Sequence, residues 1–166
     1  MKRLTTIELQ KENMKFSAGH FTIFSATERE NLHGHNYNVF AALTTWIDDD
    51  IGLSFDYRYY KRKLVDLCRE LNQAFLIPAN SKFLQIETSN EYTYIHFNDE
   101  RIPFLPRDIK LIPVTNITVE ELAQWFIDQL LQNEQELQAN AIQKINIKVF
   151  SAPGQSGSAQ WEKSDA

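Results

Sequence analysis

Apolar and polar positions alternate along the opening of the chain. Ile7 and Leu9, then Met14, Phe16, Ala18 and His20, take every second place, which predicts a first strand over residues 5–21 that the polar Lys11-Glu12-Asn13 can interrupt. The run from about His33 to Ile47 is rich in β-branched and aromatic residues and ends at the acidic turn Asp48-Asp49-Asp50, which predicts a long second strand. A polar loop, Phe24 to Asn31, joins the two. The period then changes. Tyr60, Leu64, Leu67, Leu71 and Phe75 follow three-and-four spacing and predict an amphipathic helix over about 57–73. The short strand Leu53-Ser54-Phe55 would precede it, Asp56 would cap it, and Pro78 would bar its continuation.

Residues 82–114 are less regular. Phe83–Ile86 and Tyr92–Phe97 predict two strands around the turn Thr88-Ser89-Asn90, and the proline-punctuated runs 102–106 and 110–114 predict edge strands or extended loops. Thr118-Val119-Glu120-Glu121 reads as a capping box, with Leu122, Phe126 and Leu130 behind it, so a second helix is expected to about 132 and a further turn or two before Asn140. Ile145, Ile147 and Val149 alternate on a third long strand, and Pro153–Gly157 turns the chain into a last strand ending near Trp161. Paired strands at both ends with helices between predict an α+β domain spanning 1–166, an antiparallel sheet with its helices on one face.

Composition narrows the function classes. A chain of 166 residues with 43% hydrophobic and 23% charged residues is that of an ordinary globular domain. A net charge of −5 argues against broad nucleic-acid or anionic-membrane binding. The single Cys68 excludes an internal disulfide and makes the cytoplasm the expected compartment; it lies in a helical apolar pattern, as a buried structural thiol would. The start, Met-Lys-Arg-Leu-Thr-Thr-Ile-Glu, lacks the apolar run of a signal peptide.

The candidate chemistry sits in His33-Gly34-His35. On a strand, residues i and i+2 share a face, roughly 6.5–7 Å apart, so both imidazoles point the same way. If the strand carrying His20 pairs antiparallel with this one, His20 completes a three-histidine site, the donor set of a catalytic zinc with an open fourth position. His96, flanked by aromatics, reads as a surface or core residue.

Several stretches, in order and over nearly the whole chain, resemble the 6-pyruvoyl tetrahydropterin synthase family, which includes 6-carboxytetrahydropterin synthases. These are Phe-Ser-Ala-Gly-His ending at His20, His-Gly-His-Asn-Tyr from His33, Phe55-Asp56 before the first helix, Asn-Ile-Thr-Val-Glu-Glu-Leu-Ala from Asn116 and Pro-Gly-Gln-Ser-Gly-Ser-Ala from Pro153. The resemblance implies a tunnelling fold, a four-stranded antiparallel sheet with two helices on one side, here with an irregular β-containing insert. It implies trimers whose sheets form a barrel, two of them stacked into a homo-hexamer with active sites between subunits. It further implies a pterin substrate, 7,8-dihydroneopterin triphosphate, and zinc (Zn2+) held by His20, His33 and His35, with Thr118 and Glu120 near the pterin.

The pattern also departs from the family. Most members place a cysteine base a few residues before His-Gly-His; here that loop reads Thr27-Glu28-Arg29-Glu30-Asn31-Leu32. Glu28, five residues before His33, resembles a subgroup in which glutamate is the base and the side chain is cleaved to 6-hydroxymethyl-7,8-dihydropterin. The family's Leu-Asp-His at the end of the first helix is Leu71-Asn72-Gln73, and its pterin-anchoring glutamate before the last strand is Ser151. Two readings follow: a zinc-dependent pterin lyase with Glu28 as base, or a tunnelling-fold protein that binds a pterin or purine-like ligand without turnover.

Overall fold

The computed structural model describes residues 2–164. The two-residue alternation becomes the strands β1 (Lys2–Leu9), β2 (Lys15–His20) and β3 (His33–Asp48). The expected first strand is thus broken at Lys11-Glu12-Asn13, and its halves lie end to end along one side of β3: β2 pairs antiparallel with residues 33–38, β1 with 41–48. On the other side of β3 runs β9 (Ile142–Ala152), which pairs with β10 (Gln155–Glu162). These are the four antiparallel runs that the periodicity predicts.

The sheet is larger than the four strands expected. The chain leaves helix α1 (Arg58–Leu71) and goes straight into β4 (Ala74–Pro78), parallel to β2, and β8 (Ile109–Ile112) adds beyond it, giving seven strands. Gln73 makes the reversal with φ +61°, and its N–H donates to the Ser17 carbonyl at 2.7 Å. A second, three-stranded sheet holds β5 (Leu84–Thr88), β6 (Thr93–Phe97) and β7 (Glu100–Phe104), with Pro103 on the edge strand β7, where a missing N–H leaves no ladder bond unmade. Leu53-Ser54-Phe55 is extended chain rather than a strand: Phe55 is buried in the core while Leu53 is exposed. Asp56 stands one residue ahead of the N-cap position, which is Tyr57; its carboxylate takes the Arg58 N–H and guanidinium instead.

Helices α1, α2 (Val119–Leu131) and a short third helix α3 (Glu134–Ala139) cover one face of the main sheet. The buried stripe of α1 (Tyr60, Leu64, Leu67, Leu71) and that of α2 (Leu122, Phe126, Leu130) meet Phe16, Tyr37, Val39, Leu43, Ile145 and Ile147 in one core. Cys68 lies in it with no exposed surface, and burial pushes its thiol up to about 12. A separate cluster of Phe21, Ile23, Ile77, Ile95 and Phe97 joins the small sheet to β4 and to the chain just after β2. Among the described residues no helix is long and apolar enough to cross a membrane.

Candidate metal centre

The β2–β3 register sets His20 opposite His33 and Ala18 opposite His35, so all three imidazoles project from one face at one end of the pair. Glycines allow this close approach. Gly34 faces Gly19, and a Cβ on Gly34 would lie 2.8 Å from the Ala18 carbonyl oxygen, while one on Gly19 would strike the Phe75 ring. The ring centroids stand 4.5 Å (His20–His33), 5.2 Å (His20–His35) and 5.0 Å (His33–His35) apart, and one ligand nitrogen from each lies within 4.8 Å of the others. Tyr37, next on that face, packs against His35 at 5.5 Å and stacks on Phe16.

The hydrogen bonds settle the tautomers. A carbonyl only accepts, so His20 Nδ1–H donates to Ile117 O at 2.9 Å and His33 Nδ1–H donates to Asn31 O at 2.8 Å. The neutral rings therefore keep a lone pair on Nε2. His20 Nε2 is buried and meets no partner, an orphaned acceptor aimed at the other two rings. Burial holds His20 below the ordinary imidazole range, and its histidine neighbours push it the same way. Burial, and then His33, do the same to His35. Neutral imidazoles oriented by backbone carbonyls are the donor set of a borderline cation such as zinc, so the residues present fit the metal that the resemblance implies.

The loop after β2 folds back on itself. Glu30 N–H donates to Thr22 O at 2.9 Å, and Phe24 N–H donates to Glu28 O at 2.9 Å. The Glu30 carboxylate accepts the Thr22 N–H at 2.9 Å and stands 3.8 Å from His33 Nε2. Burial works to raise this carboxyl, but the Thr22 hydrogen bonds and the facing histidines outweigh it and hold it below the usual range. Glu28 is exposed, and its carboxylate makes no hydrogen bond or ion pair among the described residues. The structure thus brings Glu30, which spacing alone passes over, up to the triad and leaves Glu28 at the loop's outer turn.

The segment before α2 closes the site from behind. Asn116 bonds both polar groups of the Ile23 backbone, at 2.8 and 3.1 Å, and the carbonyl of the next residue, Ile117, orients His20. The role of Asn116 escapes sequence reading because it depends on this long-range pairing. Thr118 follows as the N-cap of α2, its hydroxyl accepting the Glu121 N–H at 3.3 Å. The capping box is only half made, since the Glu121 carboxylate bonds Thr115 instead. Glu120 is exposed in the first turn of α2.

Asn72 and Gln73 stand where the family has titrating groups, and here they tie α1 to β2. Asn72 Oδ1 accepts the Ser17 N–H at 2.8 Å, beside the Gln73–Ser17 bond. Ser151 falls at the β-bulge between β9 and β10. His96 lies on the small sheet and pairs with Glu87 at 2.8 Å, outside the triad.

Comparison with known proteins agrees with this geometry. A family model described as 6-pyruvoyl tetrahydropterin synthase matches residues 8–160. A protein of Methanocaldococcus jannaschii provisionally named 6-carboxy-5,6,7,8-tetrahydropterin synthase is 23% identical over 142 residues, 86% of either chain. The structure of Plasmodium falciparum 6-pyruvoyl tetrahydropterin synthase superposes with a TM-score of 0.89 at 27% identity, over 96% of this chain and 99% of that one. A Plasmodium vivax 6-pyruvoyltetrahydropterin synthase gives the same TM-score at 26% identity over 97% and 99%, in variants where a catalytic glutamate is changed to alanine or to cysteine. The α+β fold is the one these synthases share, and the chain belongs to the 6-pyruvoyl tetrahydropterin synthase family.

Proposed function

We propose that this chain is a zinc-dependent lyase acting on the side chain of 7,8-dihydroneopterin triphosphate or a close relative. The observation that carries the reading is the convergence of His20, His33 and His35, each ring free to offer a nitrogen, with a loop carboxylate 3.8 Å from His33. These histidines would hold the zinc. Bound there, the cation supplies Lewis-acid polarisation of the substrate's side-chain oxygens. The protein's own part is to take a proton from the substrate's side chain beside them.

A glutamate of the 27–32 loop is the proton acceptor in this reading, in keeping with the catalytic glutamate of the Plasmodium vivax synthase. Spacing favours Glu28. Geometry supports Glu30, whose Oε2 accepts the Thr22 N–H at 2.9 Å and lies 3.8 Å from His33 Nε2. Thr118 and Glu120, at the mouth of α2, are proposed contacts for the pterin. A glutamate in place of the family's cysteine favours cleavage to 6-hydroxymethyl-7,8-dihydropterin over formation of a 6-pyruvoyl or 6-carboxy product. The buried, unpaired Cys68 suits the reducing cytoplasm.

The test is chromatographic product analysis with zinc and 7,8-dihydroneopterin triphosphate. Glu30→Gln should lower turnover by about 10²–10⁴-fold, the usual worth of a general base, with zinc content unchanged. Glu28→Gln should cost less than about tenfold. The reverse ranking would return the base to Glu28. A wild type that binds a pterin and converts none would put the binding-protein reading first, the one that Asn72, Gln73 and Ser151 support.

A further inference from the structure

Arg29 lies between the two loop glutamates and points the opposite way, into the small sheet. Two guanidinium nitrogens converge on one oxygen of the Glu100 carboxylate of β7, Oε2, at 2.7 Å from Nε and 2.5 Å from Nη2. The remaining nitrogen, Nη1, donates to the backbone carbonyl of Glu30 at 2.7 Å. The same cation lies 5.2 Å from the Phe21 ring centre and 5.9 Å from that of Phe97, and the side chain is only 16% exposed. An arginine that is stacked, largely desolvated and bonded on both edges of its planar guanidinium is a stiff connector, because those donors are satisfied in one geometry only.

We propose that Arg29 is a positioning residue, and that through it the β5–β7 sheet holds the loop carboxylate against the metal centre. The chain of contacts runs from β7 through Glu100 to Arg29, then to the Glu30 peptide, whose carboxylate faces His33. The peptide on the other side of Glu30 is held through its N–H by the Thr22 carbonyl, and the next residue, Ile23, is held by Asn116. The small sheet packs on Phe21 and Ile23 beside His20 but touches no triad histidine through any hydrogen bond or ion pair among the described residues, so its polar link to the site is this connector. The idea rests on the reading that a loop glutamate works beside the metal, but the connector itself is testable without turnover.

The experiment compares full-length wild type with Glu100→Gln, Arg29→Gln and Arg29→Lys, each loaded with Co2+. Hydrogen–deuterium exchange of peptides spanning 22–32 should rise at least about tenfold in Glu100→Gln and Arg29→Gln, while α2 and β9 keep their protection. With metal and 7,8-dihydroneopterin triphosphate, kcat should fall about 10–100-fold with KM within about twofold, the signature of a displaced catalytic group rather than of lost binding. Arg29→Lys should recover part of both. The visible spectrum of bound Co2+ should keep its intensity in all variants, since the three histidines are untouched. Loop exchange equal to wild type would overturn the proposal, and so would a loosened loop with unchanged kcat. Should Arg29→Gln fail to fold, Glu100→Gln decides alone. A wild type without turnover would sink the lyase reading, and the exchange data would still decide on the connector.

Discussion

At the scale of single residues, the contacts that matter most are those that leave no room for a side chain. Gly157 of β10 is buried, and a Cβ there would lie 2.6 Å from the Glu120 nitrogen and 2.7 Å from the Val119 carbonyl carbon. Both are backbone atoms of the first turn of α2, so no flexible side chain can give way. Gly157→Ala should therefore destabilise the protein by about 1–3 kcal/mol, read as a lower urea midpoint with an unchanged slope. The histidine triad was legible in the sequence because its geometry follows from the two-residue period of a strand and one antiparallel pairing. The orientation of the loop glutamates was not. Which glutamate turns toward His33 depends on the Thr22–Glu30 pairing, on Asn116 some 90 positions along the chain, and on Arg29 lodged in another sheet. None of these contacts leaves a mark in local spacing.

At the scale of elements, periodicity located both main helices to within two residues, since each has an apolar stripe that packs on the sheet. It carried α1 past its end. The apolar run Ala74–Pro78 continues the α1 stripe through Phe75, so the pattern alone does not separate helix from strand there. The break is made by the positive φ of Gln73, stabilised by hydrogen bonds from the helix end to Ser17. The same bonds give Asn72 and Gln73 a structural use where the family resemblance places Asp-His. Strand β8 was read only as edge strand or loop, because its partner β4 was itself unseen. The capping residues show a similar limit: Thr118 caps α2 as its motif predicts, but Asp56 and Glu121 spend their carboxylates on Arg58 and Thr115.

At the scale of the whole molecule, the main sheet is left open. Strand β10 ends one side of it, and β1 pairs with β3 alone, so both present unpaired backbone along an edge. Closing such edges between copies of the chain would form a barrel and remove the exposure. Light scattering at micromolar concentration should accordingly give the mass of six chains, or of three at least, and a 19.4 kDa monomer would contradict that expectation. The metal centre is the feature on which the proposed chemistry depends, and elemental analysis tests it most directly. Protein purified with zinc supplementation should carry close to one zinc per chain, and His33→Ala should lose most of it while remaining a folded oligomer. Wild type with no bound transition metal after that supplementation would contradict the account.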